Sequence, residues 1–540
     1  MVGTLIVDIG DDKSIEEANK DLLQDDILEA PPTTQRSAIT NGDQLWTSPV
    51  PYVLDKGLEI NAKGLILKAF DQFRLKSCID FKPRDSEEYY IHVQKLNGCF
   101  SYIGNVISNG QNISIGCYCD SISTIEHEFL HTLGFYHEQS RSDRDDYVTI
   151  VNENIQEGRQ HHFYKKSAET TTTTQGVPYD YWSVLHSGKG YFSNGNGSTI
   201  ITKDPKFQDV IGQRLEMSPK YALELNLLYK CRGPMSDHTN LPSGSGEQGE
   251  DAGYFMHVST ASGEEGDSAW LETHRMSLNR EHHEQCLQFY YFHSGPTKYW
   301  KLHHVSLNAT KHFQVEFEVR KGAGSSTGGF SIDDINLSEI ECPHVTMQLD
   351  DFERNWNASD YGASKYSTRY YSSGGYAYAL AIELYDTHCG LFVQLVSGEN
   401  DDRLEWPCTE RQVTFKMLDQ NANILLQMSK QFSITSDLST SSNGSYVWDN
   451  PRLDGLPYVD DNGETIFAGT MNGRSTFSDK DELKTREFLK GGSVIFTFSF
   501  QDITALINGS ALPIPQVGQV NITYPPKELK EDPCVILLLF

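Results

Sequence analysis

Between residues 61 and 75 apolar side chains fall at Leu65, Ile66, Ala69, Phe70 and Phe73, the spacing that lines one face of a helix. Residues 51–54, 89–93 and 113–115 are short β-formers and read as strands. A second helix should open near Thr124, with Ser123 or Thr124 as its N-cap. The first half is therefore predicted to be an α+β unit in which a sheet and a long helix precede that second helix. From 253 to 341 the pattern becomes apolar–polar alternation, as in 286–292 and 313–319, which indicates strands, and residues 344 to about 505 are again β-rich. The Gly, Ser and acidic stretch 241–251 has linker composition, the threonines of 170–174 read as a surface loop, and 513–533 is a Pro-rich spacer. Residues 1–36 are acidic and carry no clear apolar period.

Composition changes this picture in three ways. A chain of 540 residues is too long for one core and suggests three or four domains. A formal charge of −29 argues against nucleic acid or an anionic membrane surface as the main partner, and means that any acidic substrate would need local cations. The ten cysteines include no C-x-x-C pair, which fits disulfides in an oxidising compartment better than a zinc ribbon. N-x-S/T sequons at Asn112, Asn196, Asn308, Asn336, Asn357, Asn443, Asn508 and Asn521 agree with a secreted chain. The opening residues show no signal peptide, so either the start is incomplete or export is not encoded here. The apolar run 535–540 is much too short to span a bilayer.

The candidate chemistry lies in residues 127–138, HEFLHTLGFYHE. On a helix His127 and His131 project from one face and can share one zinc ion, with Glu128 beside the water the metal would hold. Gly134 can take the left-handed conformation that reverses the chain and returns His137 as third ligand. Three imidazoles leave a fourth position open, the mark of a catalytic rather than a structural site. A bare H-E-x-x-H also occurs on solvated helices; the extended form fixes the terminator and third ligand and is far more specific.

These residues, followed by QSRSDRDDYV at 139–148 and preceded by CFSYIG at 99–104, resemble the astacin family of zinc metalloproteases, and within it the meprins, the β type most closely. The resemblance implies an astacin-like α+β protease domain over 37–231 followed by two all-β sandwiches, a shortened MAM domain over 232–343 and a MATH (TRAF-like) domain over 344–505, with 1–36 a propeptide and 506–540 a spacer or tail. It implies one Zn2+ per chain on His127, His131 and His137, with Glu128 as catalytic base. Disulfides would join Cys78 to Cys231, Cys99 to Cys119 and Cys286 to Cys342; Cys117 is then surplus, and Cys389, Cys408 and Cys534 are unassigned. A trypsin-like protease would cut after Arg36, the new amine of Ser37 would fold in near Glu138, and before the cut Asp26 would occupy the open zinc position. Here Asp25 stands where the family has glycine.

Arg159 and Arg214 match arginines that favour acidic side chains in the meprin β cleft. The family turn S-x-M-H-Y is altered at 183–187, where Leu185 replaces methionine and Ser187 replaces tyrosine. Leucine keeps the volume and should cost under about 1.5 kcal/mol. Serine cannot span the distance a phenol does, and losing one oxyanion donor costs on the order of 10² to 10³ in turnover. Tyr191 would substitute only if its loop rearranged. The MAM resemblance rests on GGFSIDDI at 328–335, and the MATH resemblance on 370–378, 400–407 and 448–451. No cysteine lies between Cys231 and Cys286, so any homo-oligomer linked through this region would be noncovalent. The expected function is an extracellular endopeptidase, secreted or membrane-associated, acting on proteins and peptides; the rival is a catalytically impaired ectodomain used for adhesion or protein binding.

Overall fold

The computed structural model describes residues 6–8, 19, 26–28, 44–166, 175–231, 255–259, 261–273, 275–276, 284–293, 299–323, 328–441, 444–460, 463–513 and 534–539. The cut site at Arg36, the Ser37 amine, the threonine run 170–174 and the linker 241–251 lie outside the described residues.

The N-terminal domain is built on a sheet in the order Ile27–Leu28, Cys99–Tyr102, Gln111–Ile115, Ile91–Gln94, Val50–Leu54, Phe81–Pro83. The last four strands are parallel, and Cys99–Tyr102 runs against them. Helix α1, Ile60–Lys76, covers the sheet with the face read from its periodicity: Phe70 stacks on Phe81 at 4.0 Å and meets Phe129 edge-on at 5.1 Å. Polar residues that the same periodicity places outside, Lys63, Gln72 and Lys76, are also buried. A second partner covers them. Lys63 Nζ donates to Leu506 O at 2.8 Å, and Lys76 Nζ to Gln427 O at 2.9 Å, both on the C-terminal sandwich.

Disulfides close Cys78–Cys231 and Cys99–Cys119 in this domain and Cys286–Cys342 in the next. Cys117 is exposed and unbonded, while Cys389 and Cys408 are buried thiols. The middle domain pairs a sheet ordered Met256–Ser259, Gly329–Ser338, Gln285–His293, Lys301–Leu307 with one of Ser268–Glu272, Phe313–Arg320 and Cys534–Leu539. That last strand departs from the spacer or tail reading. Its apolar run finds a parallel partner in Phe313–Glu318, which satisfies backbone groups that a free tail would leave to water. No helix among the described residues is long and apolar enough to cross a membrane.

The C-terminal sandwich sets a sheet of Thr465–Asp479, His388–Val396, Ala377–Leu384 and Ala363–Tyr366 against one of Val345–Leu349, Ser493–Asp502, Arg411–Met417 and Lys430–Thr435. The sequon at Asn336 is buried, its amide donating to Asp334 O and Ala422 O, so this site is closed to a glycan.

Where the first and last domains meet, Glu216 is the hub. Its carboxylate is 3.4 Å from Lys76 Nζ and 3.3 Å from Lys416 Nζ, and it accepts from Ser429 N and Gln431 Nε2. Burial pushes its pKa up, but Lys416 and Lys76 outweigh that and hold it below the usual glutamate value. Deleting one member of such a buried pair costs about 3–5 kcal/mol, because the other charge is stranded.

Candidate active site

The histidines stand on helix α2, Ile122–Thr132. It begins two residues earlier than its sequence suggests: Ser121, not Ser123 or Thr124, is the N-cap and accepts from Thr124 N at 3.2 Å. The helix ends as its glycine requires. Gly134 has φ 113°, its N–H donates to His131 O, and Phe135 N–H reaches back to Leu130 O. This paired closure turns the chain sharply and returns His137 to the helix face.

Three ring nitrogens converge there. His131 Nε2 lies 3.0 Å and His137 Nε2 3.3 Å from His127 Nε2. His127 Nδ1 donates to Val184 O at 2.9 Å and His131 Nδ1 to Phe135 O at 2.7 Å. A carbonyl only accepts, so these Nδ1 atoms carry the protons and both Nε2 atoms present lone pairs. Two lone pairs 3.0 Å apart repel unless a cation or proton lies between them. Burial also drives the His127 pKa down to about 3, against the opposing pull of Asp26, and so favours the neutral imidazole that ligation needs.

Asp26 supplies the fourth vertex. Its Oδ2 is 3.0 Å from His127 Nε2, 3.0 Å from His137 Nε2 and 3.9 Å from His131 Nε2. The four ligand atoms lie within 4.8 Å of one another, and all four residues are buried. Tetrahedral zinc with bonds of about 2.0–2.1 Å to nitrogen separates its ligands by roughly 3.3–3.4 Å, so spacing and donor chemistry both fit that ion. Asp26 is held by its backbone: its carbonyl accepts from Ser101 N at 2.7 Å, and Ile27–Leu28 adds a parallel edge to Cys99–Tyr102. Asn19 pairs with both backbone groups of Cys99 at 2.7 Å.

Glu128 follows His127 on α2 and is fully buried. Glu126 precedes it and anchors the helix instead: it accepts from Met217 N at 2.6 Å, beside Glu216. Burial raises its pKa to about 8, which Lys76 only partly offsets. Sequence reasoning did not single out Glu126; its adjacency to His127 says nothing about Met217.

The altered turn passes beneath the histidines. Val184 and Leu185 are fully buried, and Leu185 O accepts from Glu138 N at 3.1 Å. Ser187 is tied to Gln139 twice, with Gln139 Nε2 donating to Ser187 Oγ at 2.7 Å and Ser187 N donating to Gln139 Oε1 at 3.0 Å. His186 is closed off too. Its Nδ1 donates to Ser187 O, its Nε2 accepts from the Tyr179 hydroxyl at 2.7 Å, and burial lowers its pKa to about 4. Gln139 was legible only as part of the motif's continuation.

Glu138 is also buried, binding Arg141 Nη1 at 3.2 Å and Asp180 N at 2.8 Å. Burial raises its pKa well above the usual range, with Arg141 opposing. The two arginines are placed differently. Arg214 Nη1 donates to Gln213 O at 3.0 Å and sits 3.5 Å from Val184 O, the carbonyl that orients His127. The guanidinium of Arg159 lies over the Phe192 ring at 4.9 Å. Tyr191 packs on Phe163 and Phe192 in a separate aromatic cluster.

Comparison with known proteins identifies the domains in which this site lies. The astacin peptidase-family profile matches residues 38–230, the MAM domain (meprin/A5/mu) profile residues 229–299 and 293–343, and the MATH domain profile residues 344–500. The chain is 40% identical to meprin A subunit beta of Mus musculus across 94% of this chain and 81% of that one, and 40% identical to the Homo sapiens subunit across 93% and 80%. Identity to meprin A subunit alpha of Mus musculus is 36%, across 92% and 76%. Among solved structures, high choriolytic enzyme 1, a hatching enzyme zinc-protease from Oryzias latipes, is 34% identical over 36% of this chain and 97% of its own, with a TM-score of 0.33. An extended zinc motif inside an astacin domain, with MAM and MATH domains after it and 40% identity over nearly the whole length, means that the chain belongs to the astacin family of zinc metalloendopeptidases, in its meprin branch.

Proposed function

We propose that this chain is a proenzyme whose site hydrolyses peptide bonds in proteins and peptides, with a preference for acidic side chains near the scissile bond. The observation that carries the reading is the Asp26 carboxylate seated among three buried imidazoles, two of which, His127 and His131, turn the lone pair of Nε2 towards it. His127, His131 and His137 would hold the zinc, and Asp26 would fill the position a substrate needs. A trypsin-like cut after Arg36 would remove Asp26 with the rest of residues 1–36. An extracellular setting, secreted or at a membrane, fits the disulfides and the meprin relatives, and any self-association would be noncovalent or use a cysteine outside the stretch between Cys231 and Cys286.

Zinc, when bound, supplies a Lewis acid that polarises a carbonyl and acidifies water. Glu128 takes the proton of the attacking water on its carboxylate and passes it to the departing amine nitrogen. The protein's neutral hydrogen bonds at His127 Nδ1 and His131 Nδ1 keep both rings aimed while this happens. Arg214, beside Val184, and Arg159 provide the local cations that an acidic side chain would require.

The substrate preference is tested with the chain trimmed after Arg36 and quenched peptides that differ only in an acidic or neutral residue beside the scissile bond. Arg214→Ala should reduce kcat/KM for the acidic peptide about 10- to 100-fold, the worth of a charge-assisted hydrogen bond, while sparing the neutral one. Unchanged selectivity removes Arg214 from the pocket.

The two hydrogen bonds between Gln139 and Ser187 favour a second reading in which turnover is impaired. The only hydroxyl at the family's tyrosine position is short and already committed to an amide. Ser187→Tyr should then raise kcat by up to about 10² to 10³, provided the ring displaces the Gln139 contact. A folded variant with no gain would show that another group stabilises the oxyanion.

A further inference from the structure

Arg214 stands on a stretch with no helix or strand to fix it: residues 213–217 run irregularly up to the helix Pro219–Leu228. What fixes this stretch is packing on two sides. On the cleft side, Gly212 at φ 83° lies so close to Gly188, next to the altered turn, that a Cβ there would meet Gly188 Cα at 2.5 Å. The Gln213 amide then ties two segments together, its Nε2 donating to Trp182 O at 2.7 Å and its Oε1 accepting from Leu215 N at 2.6 Å.

On the other side the stretch enters the C-terminal sandwich. Leu215 is 8% exposed and belongs to the apolar core of that domain, with Phe415, Met428 and Phe432, rather than to the core around the zinc helix. Trp182 packs against the same core, and the Arg486 guanidinium lies 5.3 Å from its ring centre. Arg486 is itself held firmly, donating to buried Asp419 Oδ2 at 2.9 and 2.7 Å and to Leu426 O at 2.8 Å. Both residues that Gln213 joins are therefore seated on the last domain, and Arg214 precedes one of them directly. A charge-assisted hydrogen bond is short and geometrically demanding. The Cα atoms of Arg214 and Leu215 are about 3.8 Å apart across one peptide, so a shift of the second displaces the first.

We infer that the C-terminal sandwich sets the reach of Arg214 into the cleft through Leu215 and Trp182, which are positioning residues for the acidic side chain of the substrate. The inference rests on Arg214 being the cation that meets that side chain. Selectivity in the first domain is thus held in place by the core of the third.

The test uses the full chain trimmed after Arg36 with the paired acidic and neutral peptides. Leu215→Ala, which shortens the plug, should raise KM for the acidic peptide about 10-fold with kcat unchanged, and should leave zinc content and cleavage of the neutral peptide at parental values. Leu215→Met keeps the volume and should restore parental selectivity. Leu215→Val, a milder truncation, should show the same KM effect in smaller measure and keeps the test decisive if the alanine variant does not fold. In an Arg214→Ala background Leu215→Ala should change selectivity no further, because it acts only through that arginine. Equal losses on both peptides would make Leu215 merely structural and overturn the proposal, as would parental selectivity in Leu215→Ala when Arg214→Ala abolishes it. If Arg214→Ala also leaves selectivity unchanged, it is the assignment of Arg214 that fails, and the inference falls with it.

Discussion

Replacing Glu128 with glutamine in the trimmed chain should lower kcat by about 10² to 10⁴ while leaving zinc content, read by metal analysis, at one ion per chain. The amide matches the carboxylate in size, so the fully buried position stays filled. What disappears is the ability to take a proton from water and return it to a nitrogen. Glu128 lies outside the cluster of His127, His131, His137 and Asp26 that could hold the ion, and trimming takes away only Asp26 of the four. A variant that cleaves at the parental rate would remove Glu128 from the mechanism, and a variant that loses zinc would reassign it to structure.

The second large effect concerns Asp26 and is expected before any cut is made. Asp26→Ala in the untrimmed chain should raise basal peptidase activity at least about 10²-fold, because losing one partner of a buried charge contact costs about 3–5 kcal/mol and shifts the closed form towards an open one. The backbone bond from Ser101 N to Asp26 O survives the substitution, so the segment keeps one attachment and the rise stops short of the trimmed enzyme. Trimming after Arg36 removes position 26 and makes variant and parent identical in sequence, which gives the experiment its own reference. An untrimmed variant as silent as its parent, whose trimmed form is fully active, would mean that other contacts of the N-terminal segment do the blocking.

How much of this was legible in the sequence depended on distance along the chain. His127 and His131 are one helical turn apart and Gly134 ends that helix, so local geometry alone brings the three imidazoles together. The apolar face of α1 was readable for the same reason. Its other face was not, because the partners of Lys63 and Lys76 lie 443 and 351 residues away. A lysine on the outer face of an amphipathic helix looks solvated until a second domain covers it. The N-cap was misplaced by two residues because Ser121, Ser123 and Thr124 all offer a hydroxyl and only the backbone path chooses among them. The tie between Gln139 and Ser187 spans 48 residues and two elements with no shared period. The strand at Cys534–Leu539 had the composition of a strand but no visible partner until Phe313–Glu318 was placed beside it.

The Glu216 hub bears on how modular this architecture is. The sequence divides readily into a catalytic unit and two appended sandwiches, and such boundaries invite expression of the first unit alone. Yet the surface exposed by that cut is not a resting surface. It would leave Lys76 without Gln427 O, and Glu216 without Ser429, Gln431 and Lys416. Met217, next to Glu216, in turn holds Glu126 one residue before the first histidine. The terminal sandwich therefore acts as a fourth wall of the catalytic unit, and an isolated protease fragment is a different material from the same residues in the whole chain.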